Sequence, residues 1–377
     1  MVKNMRTPPF YTKPTPSTIE GKWCSFGPYY AMFPVEFSLN VINTYTDKND
    51  WIFDPFCGRG TVPYTAEMLG RHAIGMEISK LGWLYSSVKL LPTSKDSVIK
   101  RAKEIYELSI TKYSSSYKNY DEFFNTCYAP QVLNFLITAR EELDWKKNII
   151  DRTLMAFIAV FSHGELGQTF SNQMQHVKAC GPNYAVKWWK EKGFKAPDIN
   201  PFELIIKKIV WRYSKGFYKF EQSKIYLGDS TKMISEKYLK NKKFKMLFTS
   251  PPYYKITDYH LDQWIRLWLL GEAPEQKFNP DPNKHNFGHQ EHYKKLLFDI
   301  FNKAKDYLTD DAIIYVRTDA REFSKNTIIT ILNEIYGTTK YMQVIEKPFI
   351  RRTQTALHGD VSQKPGECDI IMKPMCH

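Results

Sequence analysis

The six cysteines of this 377-residue chain (Cys24, Cys57, Cys127, Cys180, Cys368 and Cys376) are scattered, with no Cys-x-x-Cys pair and no compact framework. That spacing argues against a structural zinc site or a disulfide scaffold and for reduced thiols. No apolar run is long enough to cross a bilayer. Met1 to Pro16 is polar and proline-rich, without the apolar core of a signal peptide, so a cytoplasmic location with no membrane partner is expected. The phosphate-gripping P-loop is missing, and so are internal repeats and low-complexity tracts. Acidic residues are in deficit: 40 Asp and Glu face 53 Lys and Arg, a formal charge of +13. Such an excess points to a polyanionic partner, nucleic acid first.

What is present suffices for a large core, with 43% hydrophobic and 15% aromatic residues. Residues 1–22 read as an extended arm. An aromatic and proline-dense stretch from Ser25 to Pro34 follows, then helical apolar spacing over Val35 to Tyr45. Trp51-Ile52-Phe53 reads as a short buried strand, broken by Asp54-Pro55-Phe56-Cys57-Gly58-Arg59-Gly60-Thr61. Thr61 is placed to cap the next helix, with Pro63 in its first turn and Gly70 stopping it. His72 to Ile78 reads as a second strand ending in an acid, Glu77. A glycine turn after one strand and an acid about 20 residues on suit a nucleotide-like ligand whose ribose hydroxyls donate to the acid. Pro63 stands where a full G-x-G-x-x-G needs glycine, which favours a ligand with a ribose but no pyrophosphate, such as S-adenosylmethionine. A purely structural tight turn is the alternative.

A second chemical stretch closes the apolar run Lys245 to Phe248: Thr249-Ser250-Pro251-Pro252-Tyr253-Tyr254. Two prolines cannot continue a sheet ladder, so the chain leaves the sheet on a stiff turn. That turn presents a hydroxyl, a carbonyl and aromatic faces together, a cradle for a flat base with an exocyclic amine. By itself it is as readily a strand-ending turn capped by tyrosines.

Taken together, Asp54–Thr61 and Thr249–Tyr253 resemble the paired motifs of the amino-group DNA methyltransferases. The resemblance covers residues 25–90 and 223–373. It implies an α/β, Rossmann-like seven-stranded methyltransferase fold with S-adenosylmethionine as cofactor. Carried onto this sequence, it assigns the cofactor to Tyr30, Phe33, Pro34, Asp54, Pro55, Phe56, Gly58, Gly60, Thr61, Glu77, Ile78, Asp229 and Ser230. Ser250, Pro251, Pro252 and Tyr253 become the catalytic turn. No metal is implied; His285, His289 and His292 lack a supporting cysteine or acid cluster and read as solvated.

The block at about 84–220 lies outside the resemblance and reads as a mostly helical insertion. It separates an N-terminal part of the catalytic domain (1–83) from a C-terminal part (221–377). Helical stretches are expected near 95–110, 131–150, 152–162 and 202–213, with a break from Ser162 to Tyr184. Ser171, Asn172 and Gln173 in that break carry side chains of the kind that read base edges. Lys187 and Lys190, interleaved with Trp188 and Trp189, suit phosphate contact and stacking. Core tryptophans under solvated lysines are the competing reading. Farther on, a helix is expected from Trp264 to Leu270, another from His292 to Leu308, a strand at Ala312–Val316, and a hairpin from Tyr341–Phe349 and Cys368–Met372. Arg351 and Arg352, between the hairpin strands, are a further candidate for DNA contact and equally a solvated loop.

The chemistry implied is direct methyl transfer to an amine, with base flipping because a paired base is out of reach in a duplex. A serine opening the catalytic turn resembles the cytosine-N4 enzymes; adenine-N6 enzymes more often carry Asp or Asn. Ring-carbon cytosine methyltransferases resemble one another in a Pro-Cys nucleophile, and here no cysteine follows a proline. Adenine-N6 methylation, RNA methylation and a non-catalytic nucleic-acid-binding subunit stay open. The expected partner is double-stranded DNA, in a restriction–modification context with a cognate endonuclease.

Overall fold

Seven apolar runs become strands in the computed structural model, which describes residues 14–29, 33–171, 176–255, 259–276, 289–337, 340–346 and 366–375. They are β1 (Trp51–Asp54), β2 (His72–Glu77), β3 (Lys224–Leu227), β4 (Phe244–Thr249), β5 (Leu308–Asp319), β6 (Tyr341–Glu346) and β7 (Glu367–Pro374). One sheet results, in the order β3-β2-β1-β4-β5-β7-β6. The first five strands are parallel, and β7 enters antiparallel between β5 and β6. From β1 the chain steps outward to β2 and β3, then returns to β4 on the other side of β1. The crevice beyond the carboxyl ends of β1 and β4 is therefore the topological switch point, where open α/β sheets bind ligands.

Both faces of the sheet are covered, which is why these strands read as continuous apolar runs. Side chains alternate between the faces: Phe53, Ile74, Met76, Leu247, Ile314 and Val316 enter one core. Ile52, Ala73, Met246, Phe248, Ile313 and Tyr315 enter the other.

Before and between the first strands lie α1 (Ile19–Cys24), α2 (Val35–Tyr45), α3 (Thr61–Met68) and α4 (Lys80–Leu90). The block between β2 and β3 continues with α5 (Lys95–Ile110), α6 (Glu122–Cys127), α7 (Pro130–Glu142), α8 (Ile149–Phe161), α9 (Pro182–Lys192) and α10 (Pro201–Tyr213). Later come α11 (Ser230–Met233), α12 (Glu236–Leu239), α13 (Tyr259–Asp262), α14 (Trp264–Leu269), α15 (Gln290–Lys305) and α16 (Glu322–Tyr336). The expected boundary at 83/84 falls inside α4, and a single apolar core joins Trp23 and Phe26 to the block and to Trp264 and Trp268.

Several expectations need correcting. The arm over 1–22 is not extended at its described end: Thr18 accepts from the Gly21 N–H and starts α1, whose Trp23 is buried with its indole N–H on the Gly216 carbonyl. Gly60, in the left-handed region, caps α3 in place of Thr61, which is its first helical residue. The helix expected over 131–150 stops at Glu142, and the one expected over 152–162 starts earlier, at Ile149, because Asn148 caps α8 through the Ile150 and Asp151 N–H groups. Helix α15 stops at Lys305, and β5 begins at Leu308 where a bulge lets Phe244 pair with it.

One buried arginine ties the helical block to the segment after the catalytic turn. Arg266, with no exposed surface, donates to the Ala159 carbonyl (2.8 Å), the Gln263 side chain (2.6 Å) and the His176 carbonyl (2.6 Å). Gln263 in turn donates to the Val177 carbonyl, and the Trp264 indole to the Cys180 carbonyl. Arg266→Ala takes a charged donor from both carbonyls and from the Gln263 side chain in a buried site, and a loss of about 3 kcal/mol is expected in urea unfolding. Faster amide exchange at Val177 and Ala179 should accompany it.

Candidate functional site

Each sequence motif sits at the carboxyl end of its strand, and the two touch. Asp54 ends β1 with 2% of its surface exposed. Its Oδ1 accepts from the Phe56 N–H (3.2 Å) and from the hydroxyl of Thr249, the last residue of β4 (2.6 Å). Burial pushes the Asp54 carboxyl up to about 7, against the pull of those two donors. Thr249 opens the catalytic stretch but was no candidate contact; its adjacency to Asp54 across the sheet could not be seen along the chain.

The glycine turn closes with the Gly60 N–H on the Cys57 carbonyl and the Cys57 N–H on the Met76 carbonyl. Gly60 has φ +77°, and a Cβ there would come within 2.6 Å of Ser86 Cβ on α4. Glu77 ends β2 and bridges the turn: its carboxylate accepts from the Gly58 N–H and from the Ser79 N–H, each at 2.7 Å. Burial raises this acid too, to about 7, with the backbone donors opposing. Gly82 makes room for it, since a Cβ there would lie 2.9 Å from Glu77 Cγ and 3.0 Å from the Gly58 carbonyl oxygen. Gly75 likewise clears Cys57, whose atoms would be 3.0 Å from its Cβ.

The segment before α2 closes over this turn. Arg59 donates to the Gly27 carbonyl (2.9 Å), and buried Lys89 donates to the Arg59 carbonyl (2.8 Å). A Cβ on Gly58 would touch the Tyr29 ring at 3.5 Å. Phe33 stacks on Phe248 (centroids 4.8 Å apart, 14° between planes), whereas Pro34 is exposed at the start of α2. Pro55 is buried, Phe56 and Ile78 are half-buried, and Thr61 is buried at the start of α3. Ser230 donates to the Pro55 carbonyl at 2.6 Å, joining the end of β3 to the turn after β1. Asp229 caps α11 by accepting from the Thr231 N–H and hydroxyl.

The Ser-Pro-Pro-Tyr turn is more enclosed than a pair of presented rings. Pro251 is buried, and Ser250 and Pro252 are half-buried. Tyr253 is 5% exposed and donates its hydroxyl to Glu367 at the start of β7 (2.8 Å); Ser250 Oγ lies 3.5 Å from the same oxygen. Tyr254 turns into the core against Tyr293 and Phe323, and its carbonyl is held by Arg321. Glu367 had no sequence signal, because it approaches the turn only through the late strand β7.

Among the DNA candidates, Ser171 is corrected: it is fully buried, and its carbonyl accepts from the Gly164 N–H and the Thr169 hydroxyl. Lys187 and Lys190 are exposed on α9, close to Glu191 (3.8 Å) and paired with Glu122 respectively. Trp189 beneath them is core. Tyr30, Asn172, Gln173, Arg351 and Arg352 lie outside the described residues.

The residues around the two turns suit the cofactor that the sequence resemblance implies. A buried carboxylate, clearances only glycine supplies, and the lack of a phosphate-gripping loop fit S-adenosylmethionine. Glu77 would hold the ribose, the Asp54–Gly60 turn the methionine end, and Asp229 the adenine. Independently of any ligand, Thr249→Val removes the one side-chain donor to Asp54 among the described residues. A loss of about 1–2 kcal/mol is expected in denaturant titrations at pH 8. The loss should shrink at pH 5.5, because this donor favours the ionised carboxylate and Asp54 is protonated below about 7.

Residues 7–81 match the family model described as DNA methylase. A type II methyltransferase of Methanothermobacter thermautotrophicus, M.MthZI, is 30% identical over 117 residues, 30% of each chain. M.BsoBI of Geobacillus stearothermophilus is 33% identical over 94 residues, 24% of this chain and 18% of that one. The alignments thus span under a third of either relative. M.MjaII of Methanocaldococcus jannaschii, also a type II methyltransferase, is 22% identical over 87% of this chain and 76% of its own length. An rRNA methylase structure from Streptococcus thermophilus superposes with TM-score 0.36 at 5% identity, over 92% of this chain and 98% of that one; the likeness is too distant to add to the topology. The stretch similar to DNA methylases, residues 7–81, contains both the Asp54–Thr61 turn and Glu77.

Proposed function

We propose that the chain methylates the exocyclic N4 amine of cytosine in double-stranded DNA, by flipping the base and transferring the methyl directly. The observation that carries the reading is the Thr249–Asp54 hydrogen bond, which holds the Ser-Pro-Pro-Tyr turn against the cofactor turn at the switch point. A base on one turn and a cofactor on the other would then share one crevice.

Bound there, S-adenosylmethionine supplies an electrophilic methyl group. The chain's own residues do the rest by position and electrostatics. Ser250 Oγ and the Pro251 carbonyl would accept the two amine N–H groups, drawing the nitrogen toward sp³ geometry and aiming its lone pair. The Tyr253 ring, fixed at its hydroxyl, would bound the base. Lys187 and Lys190 would meet the phosphate backbone from α9. The serine at position 250 supports cytosine over adenine, and the type II relatives support a restriction–modification setting with a cognate endonuclease.

Incubation with labelled S-adenosylmethionine and DNA or RNA, then digestion to nucleosides, is expected to yield N4-methylcytosine from DNA. N6-methyladenine would replace the cytosine assignment, and label confined to RNA would end the DNA reading. Ser250→Ala should lower turnover on the order of a hundredfold with cofactor affinity unchanged.

Glu77 sets a pH dependence for cofactor binding. Ribose hydroxyls donate to the ionised carboxylate, and burial holds that acid protonated below about 7. Binding therefore weakens as pH falls: Kd should rise roughly tenfold per unit below that point, with proton release in calorimetry. A Kd unchanged from pH 8 to 5.5 would remove Glu77 from the ribose site.

A further inference from the structure

A methylated amine must lose a proton, and the catalytic turn leads away from the amine position through oriented hydrogen bonds. Ser250 Oγ donates toward Tyr253 Oη at 3.5 Å, and Tyr253 Oη donates to Glu367 Oε1 at 2.8 Å. Both donors point from the amine position to the carboxylate. The first contact is at the outer limit of a hydrogen bond, as such contacts often are before substrate tightens them.

Glu367 is 9% exposed, and the cation that reaches it among the described residues is Arg317. Arg317 is bidentate with Asp369 (2.6 and 2.7 Å) and approaches Glu367 only at 3.7 Å. The charged and titratable neighbours are Tyr253 from the turn, Arg317 and Asp319 from β5, and Asp369 on β7 itself. Glu346 on β6 pairs opposite Asp369, and Lys325 on α16 acts on the adjacent Cys368. Asp319 is itself paired with Arg321 (2.7 Å), so among these described groups three carboxylates other than Glu367 stand against three cations. Burial is what raises the Glu367 acid above its ordinary range, suiting a carboxylate that takes up a proton.

We propose that Glu367 is the terminal proton acceptor of the methyl transfer, reached through Ser250 and Tyr253. This rests on the amine methylation above, for either base. The amine lone pair forms the N–C bond as the S–C bond breaks, its electron pair staying on sulfur. The nitrogen, now cationic, gives one proton to Ser250 Oγ. Ser250 passes its own proton to Tyr253 Oη, and Tyr253 passes its own to the Glu367 carboxylate, which later releases it to water. A carboxylate acceptor was invisible in the sequence, since β7 had been read only as a hairpin strand.

The test is single-turnover methylation across pH 5–9 with wild type, Glu367→Gln and Tyr253→Phe. Glutamine keeps the acceptor oxygen for Tyr253 but takes no proton. The expected result is a rate at least about tenfold lower for Glu367→Gln, with S-adenosylmethionine and DNA affinities unchanged. The wild-type rate should fall on the acid side, and that limb should vanish in the variant. A carbon-13 carboxyl resonance absent from Glu367→Gln should titrate with the midpoint of the limb. A role confined to holding the tyrosine ring predicts a near-wild-type rate and an intact limb for Glu367→Gln, which would overturn the relay. Should Glu367→Gln not fold, Tyr253→Phe decides: the wild-type rate and limb in it overturn the relay, and their loss with affinities kept supports it. Wild-type protein that methylates no nucleic acid overturns the amine reading itself, a result distinct from a failed relay.

Discussion

The Thr249 hydroxyl on Asp54 is the interaction around which the site is assembled. It crosses from β4 to β1 where strand order reverses, the position at which an open α/β sheet has room for a ligand. Both residues are almost fully buried, so the bond is protected from competing water and holds the two strand ends in register. Everything chemical on either turn inherits its position from that contact. Ser250 follows Thr249 directly, and the Phe56 N–H shares the Asp54 oxygen that Thr249 uses.

Around this bond the cofactor side is shaped mainly by room. Glu77 needs the space that Gly82 leaves, and α4 can approach the turn only because residue 60 is glycine in a left-handed conformation. The Ser-Pro-Pro-Tyr turn is shaped by polar anchoring. Tyr253 and Tyr254 both leave the solvent, one held by Glu367 and the other packed on Tyr293 and Phe323. The helical block shares its core with α1 and α14, and Arg266 on α14 holds the carbonyls of Ala159, near the end of α8, and His176.

Much of the sheet was legible because strands buried on both faces leave uninterrupted apolar runs, as in Trp51–Phe53 and Lys245–Phe248. Helix ends were less legible. A cap depends on one side chain finding a backbone N–H, and Asn148 inside a charged stretch looked like helix interior. The DNA-facing residues were the least legible, because polar composition does not say which way a loop residue turns. Ser171 looked like a base reader and turned inward to satisfy the bonds of its own loop.

Local chemistry written along the chain determined the strand-ending turns, the glycines that permit them and the acid after the second strand. Each of these depends on neighbours a few residues away, where backbone sterics act directly. Tertiary structure alone decided that Thr249 would meet Asp54, that Glu367 would reach Tyr253, and that Arg266 would hold the His176 carbonyl. These pairs are separated by some 90 to 195 positions, and only burial in a common low-dielectric core makes their hydrogen bonds obligatory.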